Sequence, residues 1–471
     1  METFTIVDLS LLVAFAIFVG IFLYINRRNL KKDGLFFLYR TKWGINLINK
    51  TAKKYPKTLK VLAWISVIVG YILMILMVYL FIRILWIYLF HADVVRAVKL
   101  PPVAPLIPYL PQIFKVSFLP NFYFIHWIII LAVIAIFHEF FHGIFAALYK
   151  VKIKQTGFGF FPFFLPILPA AFVELDEKVM QKKKNFQQRA VLSAGTFANI
   201  LTALLGLIII FVFFHFSFAP SGVVFDDYAY DVINVSSVTA VNGISLLNPT
   251  YSDISPLIID KEKNYVQAGN STYAGIKGVT SDKKQLAVYF DSPAINSEIF
   301  GAIISINGQE ISNLEDFQNE LSKYSVGEKI ILTTKTGDEI KNYEINLSEN
   351  PENPGTSWLG ISFYETNSKG AMAKIVGFFS SYKKPHIYYE EKYNGAQFIY
   401  DFLWWLVLIA FSVALVNMLP MGVFDGGRFF YLTVFAITKR EKIAMKSFKI
   451  FTYILLFLLI LIMVYWAKSF F

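Results

Sequence analysis

Residues 122–149 read FYFIHWIIILAVIAIFHEFFHGIFAALY, apolar throughout except for Glu139 and the histidines His126, His138 and His142. The stretch is long enough to cross about 30 Å of hydrocarbon as a helix. Ionisable groups inside a bilayer are costly, so a span that keeps them keeps them for a task. Working outward, five further runs free of Asp, Glu, Lys and Arg have spanning length: Leu9–Ile25, Val61–Ile82, Ala190–Phe218, Phe402–Phe424 and Ile450–Ala467. Six spans predict a polytopic α-helical membrane protein. The composition agrees, with 56% apolar and 16% charged residues and a mean hydropathy of +0.53, against roughly half and a quarter in soluble proteins.

The 471 residues include no Cys, which excludes disulfides, thiolate metal sites and Cys nucleophiles. Any metal must therefore sit on His, Asp or Glu. A net charge of +11 would suggest nucleic acid in a soluble protein. Here Lys and Arg gather beside the spans, as positive-inside loops do, and no nucleic-acid partner is expected. Between Arg27 and Lys60, eleven basic residues face one acid, Asp33, which assigns that loop to the cytoplasm. The first span, with Glu2 and Asp8 ahead of it and Arg27 and Arg28 behind, is expected to stay as an N-out anchor in the cell membrane. Alternation then puts the Lys150–Arg189 connection inside and the polar region between spans four and five outside. Lys439, Arg440, Lys442 and Lys446 mark the last inner loop.

From Pro220 to Glu365 the composition becomes that of a soluble domain, with twenty Asp and Glu against nine Lys. Gly301–Ile311 and Lys329–Gly337 read as strands with an Asn307-Gly308 hairpin turn, and Leu314, Phe317 and Leu321 share one helical face. With Ser292-Pro293-Ala294 upstream, this order resembles a PDZ domain of the kind attached to proteases; a generic small β domain is the alternative. A similar phrase, Thr239–Leu246, marks either a second PDZ-like unit or another hairpin. The divisions expected are a membrane region at 1–121, the first part of a catalytic core at 122–219, the β domain at 220–365, a linker at 366–397, the second part of the core at 398–438 and a last helix at 439–471. The prolines between Pro101 and Pro120 predict an irregular interfacial segment. The apolar but Gly- and Pro-broken stretch Gly157–Ala171 predicts an irregular loop dipping back beside the bundle.

His138-Glu139-Phe140-Phe141-His142 is an HExxH motif. On a helix both imidazoles stand on one face, able to share a Zn²⁺, with Glu139 beside the first of them as a base for an attacking water. Chance would supply roughly 0.005 such matches in this composition. A tetrahedral zinc site with one open position needs a third protein ligand. The candidate is Asp425 in Asn417-Met-Leu-Pro420-Met-Gly-Val-Phe-Asp425-Gly426-Gly427, where Pro420 breaks the helix and the glycines let the chain turn. His126 lies about 18 Å along the helix from His138, too far to join the site. His215 reads as an interfacial residue.

Together, the HExxH motif, Gly195-x-x-x-Asn199 and Asn417-x-x-Pro420-x-x-x-x-Asp425-Gly426 resemble the site-2 proteases, zinc intramembrane metalloproteases. The resemblance implies that His138, His142 and Asp425 bind zinc, that Glu139 is the catalytic base, and that Asn199 and Asn417 contact substrate. Helix–helix hydrogen bonding is the other reading of the two asparagines. It further implies that the substrates are membrane proteins cut within a transmembrane helix of the lipid bilayer; the direction of spans three and five, with His138, His142 and Asp425 in their later parts, puts the site toward the cytoplasmic leaflet. An irregular element beside the site would hold the unwound segment by β-addition, a part open to Gly157–Ala171. The outer β domain would gate substrates. Thr196 departs from the Pro or Ala common after the glycine. Two other classes stay open: a zinc peptidase of another family working at the cytosolic face, with a Glu as third ligand, and a non-enzymatic PDZ-bearing transporter or scaffold.

Overall fold

A computed structural model describes residues 2–33, 36–91, 106–114, 119–160, 169–259, 263–364 and 381–468, together with positions 95, 116 and 377. The chain divides into two compact units, residues 1–212 with 397–471, and residues 213–396.

The first unit holds helices α1 (Glu2–Ile25), α2 (Ile45–Lys54), α3 (Pro56–Phe90), α4 (Phe124–Leu148), α5 (Asn185–Ser217), α6 (Ala396–Asn417), α7 (Asp425–Thr438) and α8 (Glu441–Lys468). Six of them, α1, α3, α4, α5, α6 and α8, are long and apolar enough to cross a membrane, and each overlies one of the charge-free or nearly charge-free runs. The chain is a multi-pass membrane protein. Small residues set the closest approaches, as expected where lipid supplies no hydrophobic drive between helices. Ser66 of α3 lies 3.1 Å, oxygen to oxygen, from Ser193 of α5. A Cβ on Gly70 would stand 3.1 Å from that of Ser193. α2 is amphipathic: Ile48 and Ala52 are buried, and Ile48 fills the space that Gly143 of α4 leaves empty.

Four antiparallel strands, β1 (Leu30–Asp33), β2 (Phe36–Thr41), β3 (Ile153–Phe160) and β4 (Pro169–Leu175), form a sheet in that order. Here the outcome differs from the irregular loop expected at Gly157–Ala171. Its described ends, up to Phe160 and from Pro169, are regular strands, while residues 161–168 lie outside the described part. The glycine at 157 does not break the strand; it admits the neighbouring one, since a Cβ there would stand 2.1 Å from the Tyr39 carbonyl. The proline-rich segment falls partly outside the described residues, which include Pro108, Pro111 and Pro120.

The second unit is β-rich, and its two six-stranded sheets enclose separate cores. One sheet runs in the order 339–346, 329–336, 302–306, 218–223, 387–391, and Phe317 from the helix Leu314–Leu321 packs into its core beside Ile303, Ile330 and Leu332. The other gathers strands from residues 230–290 around Val241, Ile254, Leu286 and Val288. Both Asn-Gly turns form as expected, with φ of 48° and 81° at Asn307-Gly308 and 49° and 82° at Asn242-Gly243. Ile387–Glu391, read from sequence as linker, is instead a strand paired with Phe218–Val223. Its partner lies far back in the chain, and five residues alone carry little signal.

Candidate metal centre

His138 and His142 stand one turn apart on α4, where residues four apart share a face. Their Nε2 atoms lie 3.0 Å apart. Asp425, the first residue of α7, sets Oδ2 3.2 Å from Nε2 of His142 and 3.5 Å from Nε2 of His138. The three ligand atoms lie within 4.8 Å of one another and can hold a metal ion. Two imidazole nitrogens and a carboxylate oxygen are acceptors when the rings are neutral there, so their convergence needs a proton or a cation among them.

The sequence makes this meeting possible by small residues. α6 ends at Asn417, and the chain folds back through 418–424 before α7 begins. The expected break at Pro420 is present, but the glycines act differently from the expectation. Gly426 and Gly427 are helical and lie against backbone, where a Cβ would stand 2.4 Å from the Met418 carbonyl carbon and 2.1 Å from the Met421 carbonyl oxygen. They permit close approach rather than a turn, and so bring Asp425 onto α4. Across the site, a Cβ on Gly195 of α5 would stand 2.3 Å from Nε2 of His142 and 2.5 Å from Nε2 of His138. Glycine there keeps the space in front of both ring nitrogens open. The donor set together with this vacated space fits zinc, whose catalytic sites take three protein ligands and keep one position free.

The remaining ring nitrogens are fixed from α5. His142 Nδ1 lies 2.7 Å from the Val191 carbonyl oxygen, to which it donates, leaving Nε2 as the ligand atom. His138 Nδ1 lies 3.1 Å from Nδ2 of Asn199. Asn199 is fully buried and its Oδ1 has no partner among the described residues. Half a turn of the amide would set Oδ1 against Nδ1–H, the pairing a ligating histidine requires. Asn199, expected against substrate, thus sits on His138. Asn417 is half-buried at the last turn of α6, and its side chain makes no hydrogen bond among the described residues. Glu139 points to the sheet: its Oε2 accepts a hydrogen bond of 2.8 Å from the Val173 amide on β4.

His126 is buried among aromatic rings, its centroid 4.3 Å from that of Phe398, and His215 is exposed at the end of α5. The role of one residue escaped the sequence reading. Asp8 of α1, 1% exposed, accepts hydrogen bonds from the amides of Phe124 at 2.7 Å and Ile125 at 3.0 Å, and from the Tyr109 hydroxyl. It caps α4 from a different span. An acid at the edge of an apolar run was the available signal.

The sequence model of peptidase family M50 matches residues 126–462. Among solved structures, the PDZ domain of the SdrC-like protein from Listeria monocytogenes is similar to part of the chain at 22% identity, covering 20% of this chain and 88% of that one with a TM-score of 0.14. No curated protein matches.

Proposed function

This chain belongs to peptidase family M50, the site-2 protease family, a membrane metalloprotease therefore, and we propose that it is a zinc-dependent endopeptidase cutting transmembrane segments of membrane proteins within the bilayer. The observation that carries the reading is the convergence of His138 and His142, on a helix apolar enough to span, with Asp425 at the start of α7, before the cleft that Gly195 leaves. By the charge count along the chain, the site belongs to the cytoplasmic leaflet and the β-rich unit to the outer side.

His138, His142 and Asp425 would hold the zinc, with Val191 and Asn199 orienting the two rings. Bound there, zinc supplies a Lewis acid for the scissile carbonyl and makes a water acidic enough to attack near neutral pH. Glu139 accepts the proton from that water and returns it to the leaving amine. The Val173 amide donates to Glu139 Oε2, which stabilises the ionised carboxylate and fixes the direction of its second oxygen. A transmembrane helix has its carbonyls already bonded and must unwind locally to be cut. Among the described residues β4 pairs only with β3, so its other edge, apart from the Val173 amide held by Glu139, is available to an unwound strand by β-addition. Asn417 remains a candidate for substrate contact.

The test is purified protein in lipid nanodiscs with single-span substrates. Cleavage within the span, lost with a zinc chelator, restored by zinc and abolished in Glu139→Gln, is expected. Cleavage that survives Glu139→Gln would reject the mechanism.

A further inference from the structure

An apolar pocket of about 80 Å³ opens beside Glu139, walled by Trp43 ahead of α2, Ile136 and Phe140 of α4, Phe158 of β3 and Ala171 of β4. Among the described residues, Glu139 is the one ionisable group on its lining. At roughly 10–15 Å³ per water-sized occupant, the space takes about five to eight heavy atoms, which covers a Phe side chain and leaves a little room around a Leu one.

The pocket is built rather than incidental. Thr156 Oγ1 donates to the Trp43 carbonyl at 2.7 Å, the Trp43 amide donates to Thr41 Oγ1 at 3.2 Å, and the two threonine hydroxyls lie 3.2 Å apart. These bonds pin residues 41–43 to β3 and occupy the hydroxyls that would otherwise make the lining polar. The Val173 amide, turned toward Glu139, marks the edge of β4 along which an extended chain would lie. Side chains of such a chain alternate between the two faces of the sheet.

We propose that this pocket receives one uncharged, apolar side chain of Leu or Phe size, from the substrate residue beside the scissile bond, and that Trp43 sets its size limit. The proposal rests on the endopeptidase reading above. An acidic side chain is rejected because it would be buried without a partner and facing Glu139, and a basic one because it would pair with the Glu139 carboxylate and take it from its role as base. Trp43 lies outside residues 126–462, the part matched by the family, while the rest of the wall named above lies inside it.

The test digests a mixed synthetic peptide library with the zinc-loaded, full-length protein in detergent and locates the cuts by mass spectrometry. Leu, Phe and Met should be enriched at least tenfold over Asp and Lys at one position flanking the bond. Trp43→Ala should extend that preference to Trp, and Ala171→Leu should contract it to Ala and Val. Trp43 is 73% exposed, so its truncation leaves the core intact. Glu139-dependent cleavage with the same profile in both variants would overturn the pocket. If no peptide is cut, the endopeptidase reading fails separately, and a second arm still decides. The chain has no Cys, so Trp43→Cys in a Glu139→Gln background carries a single thiol. It should cross-link model transmembrane peptides bearing a bromoacetyl group at one position and not at others, with competition by Leu-containing but not Asp-containing peptides. Equal labelling at every position would also overturn the proposal.

Discussion

A side chain on Gly195 would collide with His142, since its Cβ would stand 2.3 Å from Nε2. The ring cannot retreat, because its Nδ1 is held by Val191 on the same helix as the glycine. Gly195→Ala should therefore cost the bound metal and at least about 100-fold in cleavage, the scale expected for a displacement of about 1 Å at a reacting centre. Gly20→Ala, where nothing lies within 4 Å, is the control. Equal zinc content in the two variants would refute the role of the glycine.

Zinc analysis of purified protein should give about one ion per chain. Ala at His138, His142 or Asp425 should abolish it, while Glu139→Gln keeps it, because only the first three converge on one point. Full occupancy in any of the three Ala variants would remove that residue from the ligand set.

Asp8→Ala removes the cap of α4 and leaves the amides of Phe124 and Ile125 without their acceptor. Loss of such a cap costs about 0.5–2 kcal/mol. Thermal unfolding should begin earlier, and hydrogen exchange should rise first at the start of α4. Unchanged exchange there would show that the cap carries no stability.

In the β-rich unit, the lysines bonded to them hold three carboxyls below the usual carboxylate range: Lys335 on Glu390, Lys329 on Glu344 and Lys323 on Glu320. A depressed folded pKa stabilises above the unfolded value, about 4.3 for Glu, and that stabilisation is lost as the pH falls through the folded values. Exchange in strands 329–346 and 387–391, corrected for intrinsic rates, should quicken as the pH is lowered from about 7 to about 3.5. Glu390→Gln should flatten the change in the last strand. A flat profile in the unaltered chain would contradict the assignment.

Ala219 pairs with Glu390, so the two ends lie about one strand spacing apart. Deleting residues 220–389 and closing the gap with a short Gly-Ser link should leave zinc content unchanged and alter which substrates are cut, if the β-rich unit selects them. A folded, zinc-loaded deletion protein that cuts full-length and truncated substrates in the original ratio would refute the selection.

The spans and the candidate ligands were legible because both signals are local. A charge-free run declares a bilayer-crossing helix, and His138 and His142 are neighbours by helical geometry alone. Asp425 was legible from the Pro420 break and the acid that follows it. The β1–β2 hairpin was not: its strands are four and six residues long, and the neighbour that stabilises them, β3, lies more than a hundred positions on. The strand at 387–391 escaped for the same reason. Glycine misled twice, at 157 and at 426–427, because sequence shows the missing side chain but not whether it serves a bend or a close contact. Asp8 was visible as an acid, yet only folding reveals that the amides it caps belong to another span.

His142 and Asp425 are adjacent in space, yet the whole β-rich unit is threaded between them in the chain. A ribosome adding about 5–20 residues per second needs on the order of ten seconds to a minute to pass from one to the other. Through that interval α4 and α5 are already made, and the centre lacks its carboxylate. The three-ligand set is therefore incomplete beside newly inserted neighbours, and it closes only once Asp425 has been synthesised.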